Sequence, residues 1–390
     1  MPSLYMAWRG VDDDENLYWS VSFDGRRWSR EIQLSDRASA DAPALAVFQG
    51  KLFMAWRGVA TDDTLWWATY DGNAGLQWSD QHQLADRGSV EGPALAVFQD
   101  KLVMAWRGVS GDQGLYWATY DGNSNLQWTS QSRLSGSSFD VPALAFFQGQ
   151  LFLAWRGVEG DEDLYWATYD GNQWSAQHPL SDRASNEGPA LVVFQNKLYM
   201  IWKGVQGSDE DDLRLYWATY DANNPRGWTD QNVMETTTAD QSSIGTVGSV
   251  HRPALVVLGN RIVVAGVGYG VVATSGLPDT GNSDQITPEQ PGGYGEAPDD
   301  GVDQPAPAPP PKGIFYTTFD GAIPTLPVIV FTDRASEAPV AQAVYSNVTL
   351  SLRNVMLKHG FAPSKGLRAF NTQFNPAGAK SIPLRALTGF

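Results

Sequence analysis

Residues 102–117 read LVMAWRGVSGDQGLYW, and near-copies stand at 52–67 (LFMAWRGVATDDTLWW), 151–166 (LFLAWRGVEGDEDLYW) and 4–19 (LYMAWRGVDDDENLYW). The tryptophan of this AWRG motif recurs at Trp8, Trp56, Trp106, Trp155 and Trp202, in steps of 48, 50, 49 and 47 residues. Working outward, each unit holds four runs of alternating apolar, β-branched and aromatic residues: PALAVF, LFMAWR, LYWATY and a run opening at QWS. Runs of this length and period are strands. The joints QGK, GVSGDQG, DGN and LSDRAS are rich in Gly, Asp and Asn, which suit positive φ and side-chain-capped turns.

A period of about 48 residues with four strands predicts a β-propeller, one four-stranded blade per repeat. Later copies decay. RIVVAGVG at 261–268 stands where KLYMIWKG stands in the fifth copy, with Gly266 in the tryptophan position; IFYTTFDG at 314–321 resumes the third strand. TDRASEAP at 332–339 matches SDRASNEGP at 181–189, and VTLSLRNV at 348–355 is read as a seventh AWRG strand, so the expected ring is all-β and seven-bladed. The first copy lacks a PALAVF run, and joining PLRALTGF from the C-terminus to MPSLYMAWRG restores one. Closure by pairing of 380–390 with 4–10 is therefore expected, which would remove open sheet edges. The chain reads as one domain, 1–390. Its insertion at about 277–311, inside the sixth blade, holds nine prolines and seven acids and lacks the apolar residues that drive folding.

Composition limits the function. The 390 residues contain no cysteine and four histidines without ligand spacing, which argues against Cys-ligated metals, thiolate catalysis and a His-based site. The acidic loops lack EF-hand spacing, so no metal or other cofactor is expected. A net charge of −16 argues against nucleic-acid or anionic-membrane partners. No run of about 18 apolar residues and no signal peptide is found, so a soluble protein is expected, cytoplasmic or released by another route.

Pairing across GVSGDQG is expected to set Trp106 opposite Trp117 and Arg107 opposite Tyr116, with Trp56–Trp67, Arg57–Trp66, Trp155–Trp166 and Arg156–Tyr165 in the other copies. One blade face would carry paired tryptophans. The other would carry small residues, Ala105 and Ala118, with an Arg–aromatic pair at one end. The ligand-binding candidates on that face are Arg9, Tyr18, Arg57, Trp66, Arg107, Tyr116, Arg156, Tyr165, Lys203 and Tyr216. Asp86 and Asp182 of the LSDRAS-type segments join them. An aromatic ring can cover a pyranose face while Arg and Asp bond its hydroxyls; an Arg–Asp lattice that pins loops accounts for the same residues.

The turn TYDGNQW at 168–174 resembles a shortened Asp-box of sialidase-type propellers, and the whole unit, PALAVF…LFMAWRGV…LYWATYDG..W, resembles the repeat of bacterial seven-bladed propeller lectins. That resemblance implies glycan partners bound in clefts between blades. The reading is a carbohydrate-binding protein with several quasi-equivalent weak sites rather than an enzyme. The alternatives are a sialidase-like glycoside hydrolase and a protein-interaction scaffold. A glycosidase needs its two carboxylates placed once, in one distinctive pocket, whereas the acids here recur in every copy.

Overall fold

In the computed structural model the described residues are 3–272, except 12–13, 23–27, 60, 73–74, 124, 206–211, 238–242 and 268–269, together with 313–319, 324–335 and 341–345. Among them there are strands and turns and no helix, so none long and apolar enough to cross a membrane. The insertion at 277–311 and the segment VTLSLRNV lie outside the described residues.

The repeats fold as antiparallel sheets, and the molecule is a β-propeller. The second sheet, typical of the set, runs Ala44–Phe48, Lys51–Arg57, Thr64–Tyr70 and His82–Gly88 from the centre outward. The third (Ala94–Phe98 to Ser132–Ser137), fourth (Ala143–Phe147 to His178–Ala184) and fifth (Ala190–Phe194 to Asn232–Val233) repeat it. Each first hairpin turns through two residues of positive φ, Gln49 and Gly50 or Gln195 and Asn196, matching the twist of the strands. The sixth sheet is Ala254–Leu258, Arg261–Val267, Gly313–Phe319 and Pro324–Ala335. A small three-stranded sheet takes Glu235–Thr237 and Ser243–Gly248 from the link between the fifth and sixth sheets and Gly270–Val272 from the segment that follows Arg261–Val267.

Closure differs from the expectation. Ser3–Arg9 pairs with Asn16–Ser22 on one edge and with Ala341–Tyr345 on the other, in the register Tyr5↔Ala343. Both edges of Ser3–Arg9 are filled by described strands, and the expected partner 380–390 lies outside the described residues. The segment after TDRASEAP continues as the inner strand that the first copy lacks. The innermost strands of the six sheets are neighbours in a closed cycle, with Ala341–Tyr345 between Ala254–Leu258 and Ala44–Phe48. The described residues thus form a ring of six four-stranded sheets, and the expected seventh copy at 348–355 lies outside them. Leu4, Met6 and Trp8 packing on Val263, Ala265 and Val267 complete the seam between the sixth sheet and the first.

The register across the AWRG hairpin is one residue tighter than expected. Trp106 pairs with Tyr116, Arg107 with Leu115, and Ala105 with Trp117. Trp56 likewise pairs with Trp66 and Trp155 with Tyr165. The reason is the turn: Gly108 N–H donates to Gly114 O at 2.9 Å, leaving five residues in the loop. Consequently Trp106, Tyr116, Met104 and Ala118 share one face, while Arg107, Ala105 and Trp117 share the other. Both faces are packed. Phe53, Ala55 and Trp67 of the second sheet meet Met104, Trp106, Ala118 and Tyr120 of the third, and similar clusters fill the other seams. The core is therefore a set of apolar seams between neighbouring sheets, without the roomy Ala-lined face the sequence suggested.

Candidate functional site

The loop after each AWRG motif builds one arrangement five times over. In the third sheet Asp112 Oδ1 accepts the Gly114 N–H at 2.8 Å, and Asp112 Oδ2 accepts the Tyr116 hydroxyl at 2.7 Å. The same side-chain bond joins Tyr18 to Asp14 (2.5 Å), Trp66 Nε1 to Asp62 (3.0 Å), Tyr165 to Asp161 (2.8 Å) and Tyr216 to Asp212 (2.8 Å). The tyrosine rings also stack on the motif tryptophans, with centroids 5.9–6.2 Å apart for Tyr18–Trp8, Tyr116–Trp106, Tyr165–Trp155 and Tyr216–Trp202. Each of these five aromatic residues is half-buried and keeps part of its surface in solvent.

The electrostatics follow from these bonds. The hydrogen bond from Tyr116, with that of the Gly114 amide, holds the Asp112 carboxyl below the ordinary value. Burial alone would raise Asp14, Asp62 and Asp212, yet their hydrogen bonds bring all three below it. Burial and the Asp partner push the hydroxyls of Tyr18, Tyr165 and Tyr216 up to about 12. These loop aspartates are what the sequence reading missed as individual residues. Their signal is a spacing of four and four, Gly108–Asp112–Tyr116 and Gly157–Asp161–Tyr165.

The motif cations point to the opposite face of their own sheet from these rings. Arg57 Nη1 donates to Val90 O at 2.5 Å and Nη2 to Asp63 at 2.9 Å. Arg107 donates to Phe139 O at 2.8 Å, Arg156 to Asn186 O at 2.9 Å, and Lys203 Nζ to Asn186 Oδ1 at 3.1 Å. Arg9 is half-buried and bonds Gly10 O at 3.4 Å. Phe139 lies between two guanidiniums, 5.1 Å from Arg107 and 4.9 Å from Arg156. The arginines thus clamp the loop that carries the chain to the next sheet. The cations and rings expected as pairs, Arg107 with Tyr116 and Arg57 with Trp66, thus stand on opposite faces of their own sheets and are not brought together.

Asp86 and Asp182 stand apart from these cations. Asp86 pairs with Arg87 at 3.2 Å, and Asp182 with Arg183 at 3.4 Å and Arg226 at 2.7 Å. Those neighbouring arginines stitch sheet to sheet. Arg37 Nη2 reaches Ser79 O at 3.0 Å, Arg87 reaches Thr129 O at 2.6 Å, and Arg37 and Arg183 lie over Trp56 and Trp202 of the next sheet at 5.7 and 5.8 Å. In the third sheet Gly136 takes this place, where a Cβ would come 2.7 Å from Trp155. Among the described residues no three His, Asp or Glu side chains are arranged to hold a metal ion.

No protein-family model matches the chain, and no curated protein matches it. Solved structures do. The fucose-specific lectin from Aleuria aurantia superposes with a TM-score of 0.51 at 13% identity, over 86% of this chain and 93% of that one. A GH43_1 enzyme from Xanthomonas citri complexed with xylose gives 0.41 at 14% identity, over 58% and 80%. At such identities the lectin likeness shows a shared propeller fold and nothing finer.

Proposed function

We propose that the protein is a carbohydrate-binding protein with several quasi-equivalent weak sites on the face formed by the second-to-third-strand loops. The observation that carries this reading is the repeated half-exposed aromatic ring, hydrogen-bonded to a loop aspartate in five copies. Such a ring presents an apolar surface to the C–H face of a pyranose, and the aspartate's remaining acceptor capacity suits its hydroxyls. Recurrence from sheet to sheet gives weak sites that gain strength together on a glycan-bearing surface. The fold shared with a fucose-specific lectin makes L-fucose the first sugar to try.

The test is a glycan array probed with the wild type, Tyr116→Ala and the double variant Tyr116→Ala, Tyr165→Ala, beside a panel of fluorogenic glycosides. Glycan binding that falls about tenfold or more in the double variant, at nearly unchanged melting temperature, supports the reading. Absence of binding by the wild type on dense arrays, or turnover of a glycoside, overturns it.

A further inference from the structure

At the mouth of the central channel the repeats place a titratable side chain two residues before the proline that opens each inner strand: Asp41, Glu91, Asp140 and Glu187, and in the sixth sheet His251. These side chains reach across seams. Asp41 accepts the Gly92 N–H at 2.6 Å, which ties the second sheet to the third. Glu187 receives the Arg252 N–H and lies 3.1 Å from His251 Nδ1, which ties the fifth to the sixth. Arg107 stands 3.5 Å from Glu91.

The seam that Glu187 spans lacks the motif tryptophan on its sixth-sheet side. The sixth sheet carries Gly266 at the tryptophan position, so Phe194, Tyr199 and Trp217 of the fifth meet Val247, Ile262 and Val264 with no facing motif tryptophan. Polar contacts therefore bear a larger share of its cohesion than in the Trp-rich seams.

We infer that this mouth is a pH-set fastener for the sixth sheet: ionised Glu187 latches it through His251 and the Arg252 backbone, and crowding of Asp41, Glu91 and Asp140 around the Arg252 and Arg107 charges loosens the ring as pH rises. The charges that face one another here fix the direction. Burial would raise Glu187, but the hydrogen bond and charge of His251, with Lys203 and the Arg252 amide, bring its carboxyl below the ordinary 4.5. Its contribution is complete above that value and is lost as pH falls through the folded one. Burial, then Asp41 and Asp140, push Glu91 up to about 9 against the pull of Arg107 and Arg252. Burial and Glu187 push Asp140 up to about 6. For these two the folded state holds protons that the unfolded chain has released, so stability declines as pH rises from their ordinary values. The fastener is tightest at about pH 4, where Glu187 is largely ionised and the unfolded chain has only begun to release the protons that Glu91 and Asp140 hold.

The experiment is hydrogen exchange of the full chain, corrected for intrinsic rates, at Ala254–Leu258 and Arg261–Val267 between pH 4 and 9. Corrected exchange slowest at about pH 4 and at least about tenfold faster at pH 8.5 supports the inference. So does Glu91→Gln if it removes most of that alkaline rise, and Glu187→Gln if it speeds exchange at pH 6. Flat protection in the wild type across this range, or an alkaline rise unchanged in Glu91→Gln, overturns it. Should Glu187→Gln fail to fold, Glu91→Gln decides alone, because removing a crowded carboxylate is expected to stabilise the ring above pH 7.

Discussion

Glycine 108, Asp112 and Tyr116 act as one device, and their spacing explains why the hairpin closes one residue tighter than its apolar pattern suggests. A Cβ at Gly108 would stand 2.6 Å from Asp112 O. Gly108→Ala should therefore cost about 1–3 kcal/mol by overpacking, measurable by urea unfolding. The aspartate's grip on the ring has a spectroscopic consequence. Tyr18, Tyr165 and Tyr216, pushed up to about 12, should still be un-ionised at pH 11, when ordinary tyrosines are not. In Asp161→Ala the Tyr165 step in the tyrosinate band should move down toward the ordinary value, with burial holding it partly raised. The candidate arginines carry a different lesson. Their Nη atoms end on the carbonyls of Val90, Phe139 and Asn186, so the loop-pinning role open in the sequence is realised for them, and the solvent-facing part of each unit is the ring.

Strand identities were legible because period-two runs and turn residues agree at every level. The faces were not, because a one-residue change of register moves every side chain to the other side of a sheet. Side-chain bonds within the loop, invisible to the apolar pattern, set that register. The corrected faces rank the tryptophans. Trp67 is 1% exposed and packs on Phe53, Tyr120 and Trp128 at 5.4–6.3 Å. Trp67→Ala should destabilise by about 3–5 kcal/mol. Trp117 meets Tyr169 and Trp174 but is only half-buried, so Trp117→Ala should cost less. Thermal melts of the two variants side by side check the order.

Ring closure belongs to the whole molecule. Ala343 pairs with Tyr5, and a proline there locks φ at about −65°, away from the extended value of an antiparallel strand. Ala343→Pro should lower the melting temperature sharply and promote aggregation through the exposed edge of Ser3–Arg9. Ala386→Pro, within the segment the sequence put forward for closure, should leave melting unchanged. Size-exclusion chromatography and thermal melts distinguish the two.

From the sequence alone came the all-β class, the four-stranded repeat, the seams rich in tryptophan and the side of the ring where the motif cations, the acidic loops and the LSDRAS segments gather. These depend on local period and turn chemistry, which one strand's residues specify without its partners. The strand that fills the inner edge of the first sheet among the described residues was decided only in three dimensions. AQAVY at 341–345 and IPLRALTGF at 382–390 both suit an inner strand by composition, and the choice between them rests on which one reaches the vacant edge beside Leu4 and Met6. The carboxylate mouth is of the same kind: its acids lie about 50 residues apart in the chain, and they perturb one another only because the ring brings their strands to a common axis.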